Sequence, residues 1–168
     1  MRLTRGIRSE DLSGKSKDIL ITDHTEPMFV EAFKRYFGEL GINVEDRNGL
    51  FREMNGGEGN RSYVRYSENG DVIGFIQFVA VELENCFFRE RLGFIREFWV
   101  SGEYRNIGHG SELLGLAERY FADNGIRKVI LTTDTASAFY EKKGYRKDNS
   151  FTAKNKDDVF VKEILEIL

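Results

Sequence analysis

Phe94-Ile95-Arg96-Glu97-Phe98-Trp99-Val100-Ser101-Gly102-Glu103-Tyr104-Arg105-Asn106-Ile107-Gly108-His109-Gly110-Ser111 is the stretch that decides the fold. Its first seven residues read as an apolar strand, and Ser101 to Tyr104 as a short turn. Arg105 to Ser111 is a glycine-bearing loop that opens directly into a helix expected to end near Asn124-Gly125. A helix start carries about half a positive charge and several amides without intrahelical partners, so this junction is a seat for phosphate.

Spacing excludes two common phosphate loops. The dinucleotide fingerprint needs a third glycine at position 113, which is Leu113. The P-loop needs a glycine ahead of Gly14-Lys15-Ser16 at position 9, which is Ser9. What remains is an arginine followed by two alternate glycines, at Arg105, Gly108 and Gly110.

That pattern resembles the Q/R-x-x-G-x-G/A signature of the GNAT superfamily of acetyl-CoA-dependent N-acetyltransferases, set between that family's fourth strand and third helix. The lead-in Glu103-Tyr104-Arg105 and the continuation Ser111-Glu112-Leu113-Leu114 are also similar to the family. Further on, Ala138-Phe139-Tyr140-Glu141-Lys142-Lys143-Gly144-Tyr145 resembles the second signature, A-x-x-F/Y-Y-E-K-x-G-F/Y, in a form one residue more compact before the tyrosine. The resemblance covers roughly residues 60–165.

The resemblance implies an α/β fold of the GNAT type: a central mixed, mostly antiparallel sheet of six or seven strands flanked by about four helices, as one domain over residues 1–168. It implies acetyl-CoA as cofactor. The backbone of Phe98, Trp99 and Val100 would hold the pantetheine arm, and Arg105, Asn106, Ile107, Gly108, His109, Gly110 and Ser111 would surround the diphosphate. The family commonly has Asn three residues before the alanine of its second signature. Here Thr135 stands there, with less reach toward the coenzyme. Tyr140 is implied as the acid near the coenzyme sulfur, since a phenol can protonate or hydrogen-bond a departing thiolate.

Glu97 is the candidate base. The family often carries an acidic residue on this strand, and alternation puts Ile95 and Trp99 on the same face. A base is needed because a lysine-like amine, with pKa ~10.4, is neutral in only about one molecule in 2,500 at pH 7. That gap is worth about 4.6 kcal/mol. The competing reading pairs Glu97 with Arg96, Arg91 or another cation and gives it no chemistry. His109 reads as a backbone donor with an exposed ring, and His24 as a surface or capping residue. Two histidines so far apart give no metal-ligand spacing, so no metal is expected.

Composition narrows the class. At 168 residues with 40% hydrophobic and 32% charged residues, the chain can bury one full core. A net charge of −3 argues against nucleic acid as a partner. No apolar run has the length of a membrane span, and Met1 to Gly6 lacks the apolar core of a secretory signal. One cysteine, Cys86, leaves no internal disulfide, so a cytoplasmic location is expected. Cys86 reads as a small packed thiol rather than a nucleophile.

The remaining elements follow from local signals. A first strand fits Ile19 to Thr22 better than Arg2 to Ile7. Thr25 can cap a helix with Pro27 in its first turn and a Phe29, Phe33, Phe37 stripe, ending at Gly38 or Gly41. Asp46 or Asn48 starts a second helix with Leu50, Phe51 and Met54, and the loop at 55–60 is either a mobile connector or, as the resemblance implies, a border of the acceptor site. Asn69-Gly70 fits a tight hairpin with positive φ at both positions. Asp71 to Leu83 is apolar enough to lie centrally with both faces covered. Residues 84–91 either approach the acceptor or extend the flanking strands. Lys128 to Thr133, Thr135 to Lys143, Tyr145 to Lys147 and Val159 to Ile164 read as strand, helix and two closing strands.

The expected activity is therefore acetyl transfer to a primary amine, on a small molecule or on a protein or peptide. The alternative is a CoA-binding sensor or interaction domain on the same fold. Both a monomer and a homodimer stay open.

Overall fold

The computed structural model describes residues 14–56 and 59–164. β1 (Lys17–Ile21) leads to α1 (Pro27–Leu40) and α2 (Arg47–Gly56), then to β2 (Arg61–Tyr66), β3 (Val72–Glu84) and β4 (Arg89–Val100). One 3-10 turn, Gly102–Tyr104, precedes α3 (His109–Asp123). β5 (Lys128–Thr133), α4 (Ser137–Lys142), β6 (Arg146–Lys147) and β7 (Asp158–Glu163) complete the order. The seven strands form one sheet, β1-β2-β3-β4-β5-β7-β6, antiparallel at every junction except β4–β5. The expected mixed sheet with four helices is the observed one. The alternative first strand at residues 2–7 lies outside the described residues.

Local chemistry accounts for the helix ends. Pro27 opens α1, and Gly41 closes it at φ +69°. Thr25 does not cap α1. Its amide and hydroxyl both donate to Asp23 Oδ1, so the turn before the helix uses the aspartate instead. Asp46 Oδ1 accepts the Gly49 amide at 2.8 Å and so caps α2. In the β2–β3 hairpin only Gly70 takes positive φ, at +82°, and Asn69 does not. Ser67 and Asp71 close a three-residue loop there, which needs one left-handed position rather than two.

The sheet separates two apolar clusters. Phe29, Ala32 and Phe33 of α1 and Phe51 and Met54 of α2 pack with Val64, Phe75 and Trp99. Leu113, Leu114, Ala117 and Phe121 of α3 pack with Ile76, Phe78 and Ile95, and Tyr140 of α4 joins them. β3 is covered on both faces only from Val72 to Phe78. β2 ends its pairing at Arg61↔Phe78 and β5 at Gly93 of β4, so from Val81 and Leu92 onward the β3–β4 hairpin runs on as a two-stranded arm with Leu83, Phe87 and Phe88 exposed. Residues 84–91 thus extend the strands, at the opposite end of β4 from the glycine loop. Cys86 lies exposed at the arm's tip, not packed as the sequence suggested.

Two irregularities of β4 matter most. Ile76 pairs with Phe98 but Phe78 pairs with Ile95, so β4 holds one extra residue around Arg96 and Glu97. With β5, β4 pairs only at Gly93↔Val129 and Phe94↔Ile130, although both strands continue. The bulge therefore sits where the two parallel strands part.

Glycine is required where β3 meets β4 and where β4 meets α3. A Cβ on Gly74 would stand 2.3 Å from the Trp99 carbonyl oxygen, and one on Gly93 would stand 2.6 Å from the buried Phe121 ring. Gly93→Ala should cost about 1–3 kcal/mol and Gly74→Ala at least as much, because its obstacle is backbone. Urea midpoints of the two variants against the parent measure this.

Candidate active site

Where β4 and β5 diverge, a cleft of about 390 Å³ opens between β4, the glycine loop and α4. Phe98, Trp99, Val100, Arg105, Asn106, Gly108, Gly110, Ser111 and Tyr140, all expected from the sequence, line it. Tyr104, Ala136 and Phe139 line it as well. These three escaped notice, although Phe139 and Ala136 flank or belong to the second signature and Tyr104 belongs to the lead-in. Ile107, His109, Glu97 and Thr135 are not among the lining residues. Thr135 is exposed in the β5–α4 connection.

The loop is built to leave amides free. Asn106 and Gly108 adopt left-handed backbone, at φ +64° and +98°. Gly108 is the N-cap of α3 and has no side chain with which to cap it. The first helical bond runs from the Glu112 amide to the Gly108 carbonyl, so the amides of His109, Gly110 and Ser111 have no helical partner. Gly110 lines the cleft with room to spare: the atoms nearest a Cβ there, on the Phe139 and Val100 side chains, stand at an ordinary 3.7 Å. Three free donors, a helix dipole and an unobstructed approach fit a diphosphate.

Arg105 supports this loop from outside. Its Nε donates to the Val100 carbonyl at 2.9 Å, and its guanidinium pairs with Glu39 of α1. Glu39 also accepts the Trp99 indole N–H at 2.9 Å. From beneath, Arg65 of β2 holds the first turn of α3. It forms two bonds to Asp18 of β1, at 2.7 and 2.8 Å, pairs with Glu112, and donates to His109 Nδ1 at 3.1 Å. Because a guanidinium only donates, His109 Nδ1 is the acceptor and Nε2 carries the hydrogen. The ring is buried, 7% exposed, rather than exposed as the sequence suggested.

His24 is likewise fully buried, not at the surface. Its ring meets Phe29 edge-on, and Nε2 lies 2.9 Å from Ser62 Oγ. Burial pushes its pKa down.

The bulge changes the setting of Glu97. Ile95 packs with the α3 cluster and Trp99 with the α1 cluster, so the two lie on opposite faces and strict alternation fails. Glu97 pairs with neither Arg96 nor Arg91. Its Oε2 accepts the Tyr36 hydroxyl of α1 at 2.9 Å, while Arg96 donates to Asn60.

Tyr140 stands at the α4 side of the cleft, 7% exposed. Phe139 and Tyr145 hold its ring at centroid distances of 5.1 and 5.6 Å. Among the described residues its hydroxyl has no hydrogen-bond partner, and burial pushes its pKa up to about 12. The phenol is therefore a proton holder at any physiological pH. Tyr145 in turn donates to Glu118, which also takes Lys162 at 3.0 Å, so the end of α4 is anchored to α3 and β7.

The family model of the acetyltransferase (GNAT) family matches residues 21–145, and the chain belongs to that family. Among solved structures, a GNAT-family acetyltransferase of Staphylococcus aureus matches with a TM-score of 0.66 at 17% identity, over 89% of this chain and 99% of that one. Arabidopsis thaliana NAA60, in complex with acetyl-CoA, matches with a TM-score of 0.66 at 14% identity and the same coverage. A predicted acetyltransferase of Clostridium acetobutylicum, also with acetyl-CoA, gives 0.67 at 15% identity over 83% of this chain and 95% of that one. At these identities the likeness is one of fold. Among curated protein sequences none matches significantly.

Gly110→Ala should leave acetyl-CoA affinity within about threefold of the parent, whereas Gly110→Glu should abolish binding by filling and charging the seat. Gly108→Ala should weaken both fold and binding, by about 1–2 kcal/mol of left-handed strain. Calorimetric titration of the three variants with acetyl-CoA checks the order.

Proposed function

We propose that this chain transfers an acetyl group from acetyl-CoA to a primary amine by direct attack on the thioester. The observation that supports this reading most is the cleft that joins three amides without helical partners at the start of α3 to the Tyr140 hydroxyl, unpartnered among the described residues. Bound there, the coenzyme supplies the acyl thioester. His109, Gly110 and Ser111 amides bind its diphosphate, and the parted edge of β4 from Phe98 to Val100 orients the pantetheine arm.

Glu97 takes the proton of the acceptor amine at its carboxylate. Phe98, Phe139 and the other apolar walls exclude water from the inner cleft. Tyr140 Oη holds a proton for the leaving thiolate. Acceptors in scope are small-molecule amines, including polyamines and antibiotics, and peptide N-termini.

The first test is a melting curve with acetyl-CoA. At a hundred times its Kd the coenzyme should add about 2.7 kcal/mol of stability. The second is thiol release over a panel of polyamines, aminoglycosides and peptides. A thermal shift without release from any amine would select the sensor reading, and no shift would reject coenzyme binding altogether.

Tyr140→Phe should lower kcat by about 10²-fold and leave acetyl-CoA affinity nearly unchanged. Because its proton is held to about pH 12, Tyr140 should contribute no basic limb to the rate below about pH 11. An unaltered kcat in Tyr140→Phe would reduce this residue to packing.

A further inference from the structure

We infer that Tyr36 is a positioning residue for the reaction: its hydroxyl fixes one carboxylate oxygen of Glu97, so that the other is aimed at the acceptor and ready to take its proton. This rests on the reading of Glu97 as the base.

The contact joins distant parts of the chain, 61 residues apart, at 2.9 Å. It occurs at the β4 bulge, where the ladder to β3 slips and Glu97 would otherwise be free to swing. The Tyr36 ring cannot move far. It packs on Phe33, Phe37, Phe75 and Trp99 at centroid distances of 5.4 to 6.0 Å. Burial, then the charge and hydrogen bond of Glu97, push the Tyr36 pKa up, so the phenol keeps its hydrogen and acts only as donor. Among the described residues Oε1 of Glu97 has no hydrogen-bond partner.

Most other polar groups near this stretch are engaged elsewhere; Gln77 of β3, across from the bulge, is buried with no side-chain partner among the described residues. Glu39 of α1 takes Trp99 and Arg105. Arg96 of β4 donates to Asn60 Oδ1, and Arg61 of β2 to the Asn60 carbonyl. His24 bonds Ser62, which pairs in register with the neutral Gln77 of β3. Among the described residues, Tyr36 alone hydrogen-bonds the Glu97 side chain. In the transfer an acceptor N–H bond breaks and an O–H bond forms at Oε1, while the Tyr36 O–H stays intact. A donor to Oε2 gives the carboxylate one orientation.

Tyr36→Phe removes the hydroxyl and keeps the ring. In the full chain labelled with glutamate 13Cδ, the Glu97 resonance is identified by its loss in Glu97→Gln. That resonance should move in Tyr36→Phe while the other glutamate resonances stay, since this carboxylate loses a hydrogen-bond donor. Acetyl-CoA affinity should stay within about twofold of the parent, as the cleft is untouched. An unmoved resonance overturns the role of Tyr36, as does a loss of coenzyme affinity in step with the rate, which would mark a packing residue. Full kcat in Glu97→Gln, with the best amine of the panel, would instead remove the base assignment and the inference with it. A moved resonance with a lower kcat in Tyr36→Phe at unchanged acetyl-CoA affinity supports both.

Discussion

The pairing of β4 with β5 stops after two residues, and the functional geometry follows from where it stops. A parallel pair usually continues as far as both strands run, because each further residue adds ladder bonds. Here the extra residue of β4 bends the strand away just past Phe94. The result is an open seam in the middle of a sheet, walled by side chains from β4 and α4. The same bulge inverts the facing of the strand. Phe98 and Val100 join the α3 side, while Glu97 meets α1. One inserted residue thus creates a slot for an extended ligand and brings an acidic group to the sheet's other face.

The floor of the anion seat depends on a buried cation. Arg65 is 4% exposed and touches two carboxylates and an imidazole, joining β1, β2 and the first turn of α3. A guanidinium at such a depth is tolerated only when its donors are matched. Here the two bonds to Asp18 satisfy one side, and Glu112 and His109 satisfy the other. The first turn of α3 is therefore fixed by the sheet rather than by its own cap, which leaves its amides free of side-chain competitors.

Much of this was legible in the sequence because it is local. The strand–glycine–helix junction, the Arg105-Gly108-Gly110 spacing and the Tyr140 segment each lie within a few residues, and all lie on the cleft. The β5 limits and the Gly41 and Gly125 stops were local signals too. What escaped depends on distant partners. Arg65 meets His109 across 44 residues, and Tyr36 meets Glu97 across 61. His24 and His109 look like surface residues until Ser62 and Arg65 are seen to pair with them. The facing of Glu97 could not be read by alternation, because a bulge leaves no mark on hydrophobic periodicity when both its neighbours are apolar. The apolar run of β3 promised a central strand throughout, but its coverage ends where β2 begins.

The β3–β4 arm carries the chain's single thiol away from the cleft. β4 alone, at about 3.3 Å per residue, spans roughly 36 Å between the arm and the glycine loop. Cys86 is exposed and the sequence holds no other cysteine. A maleimide dye would therefore attach at one chemically defined point, on a projection that no cleft residue touches. The protein comes ready for single-site labelling, and tumbling of the arm can be followed optically without perturbing the seam between β4 and β5.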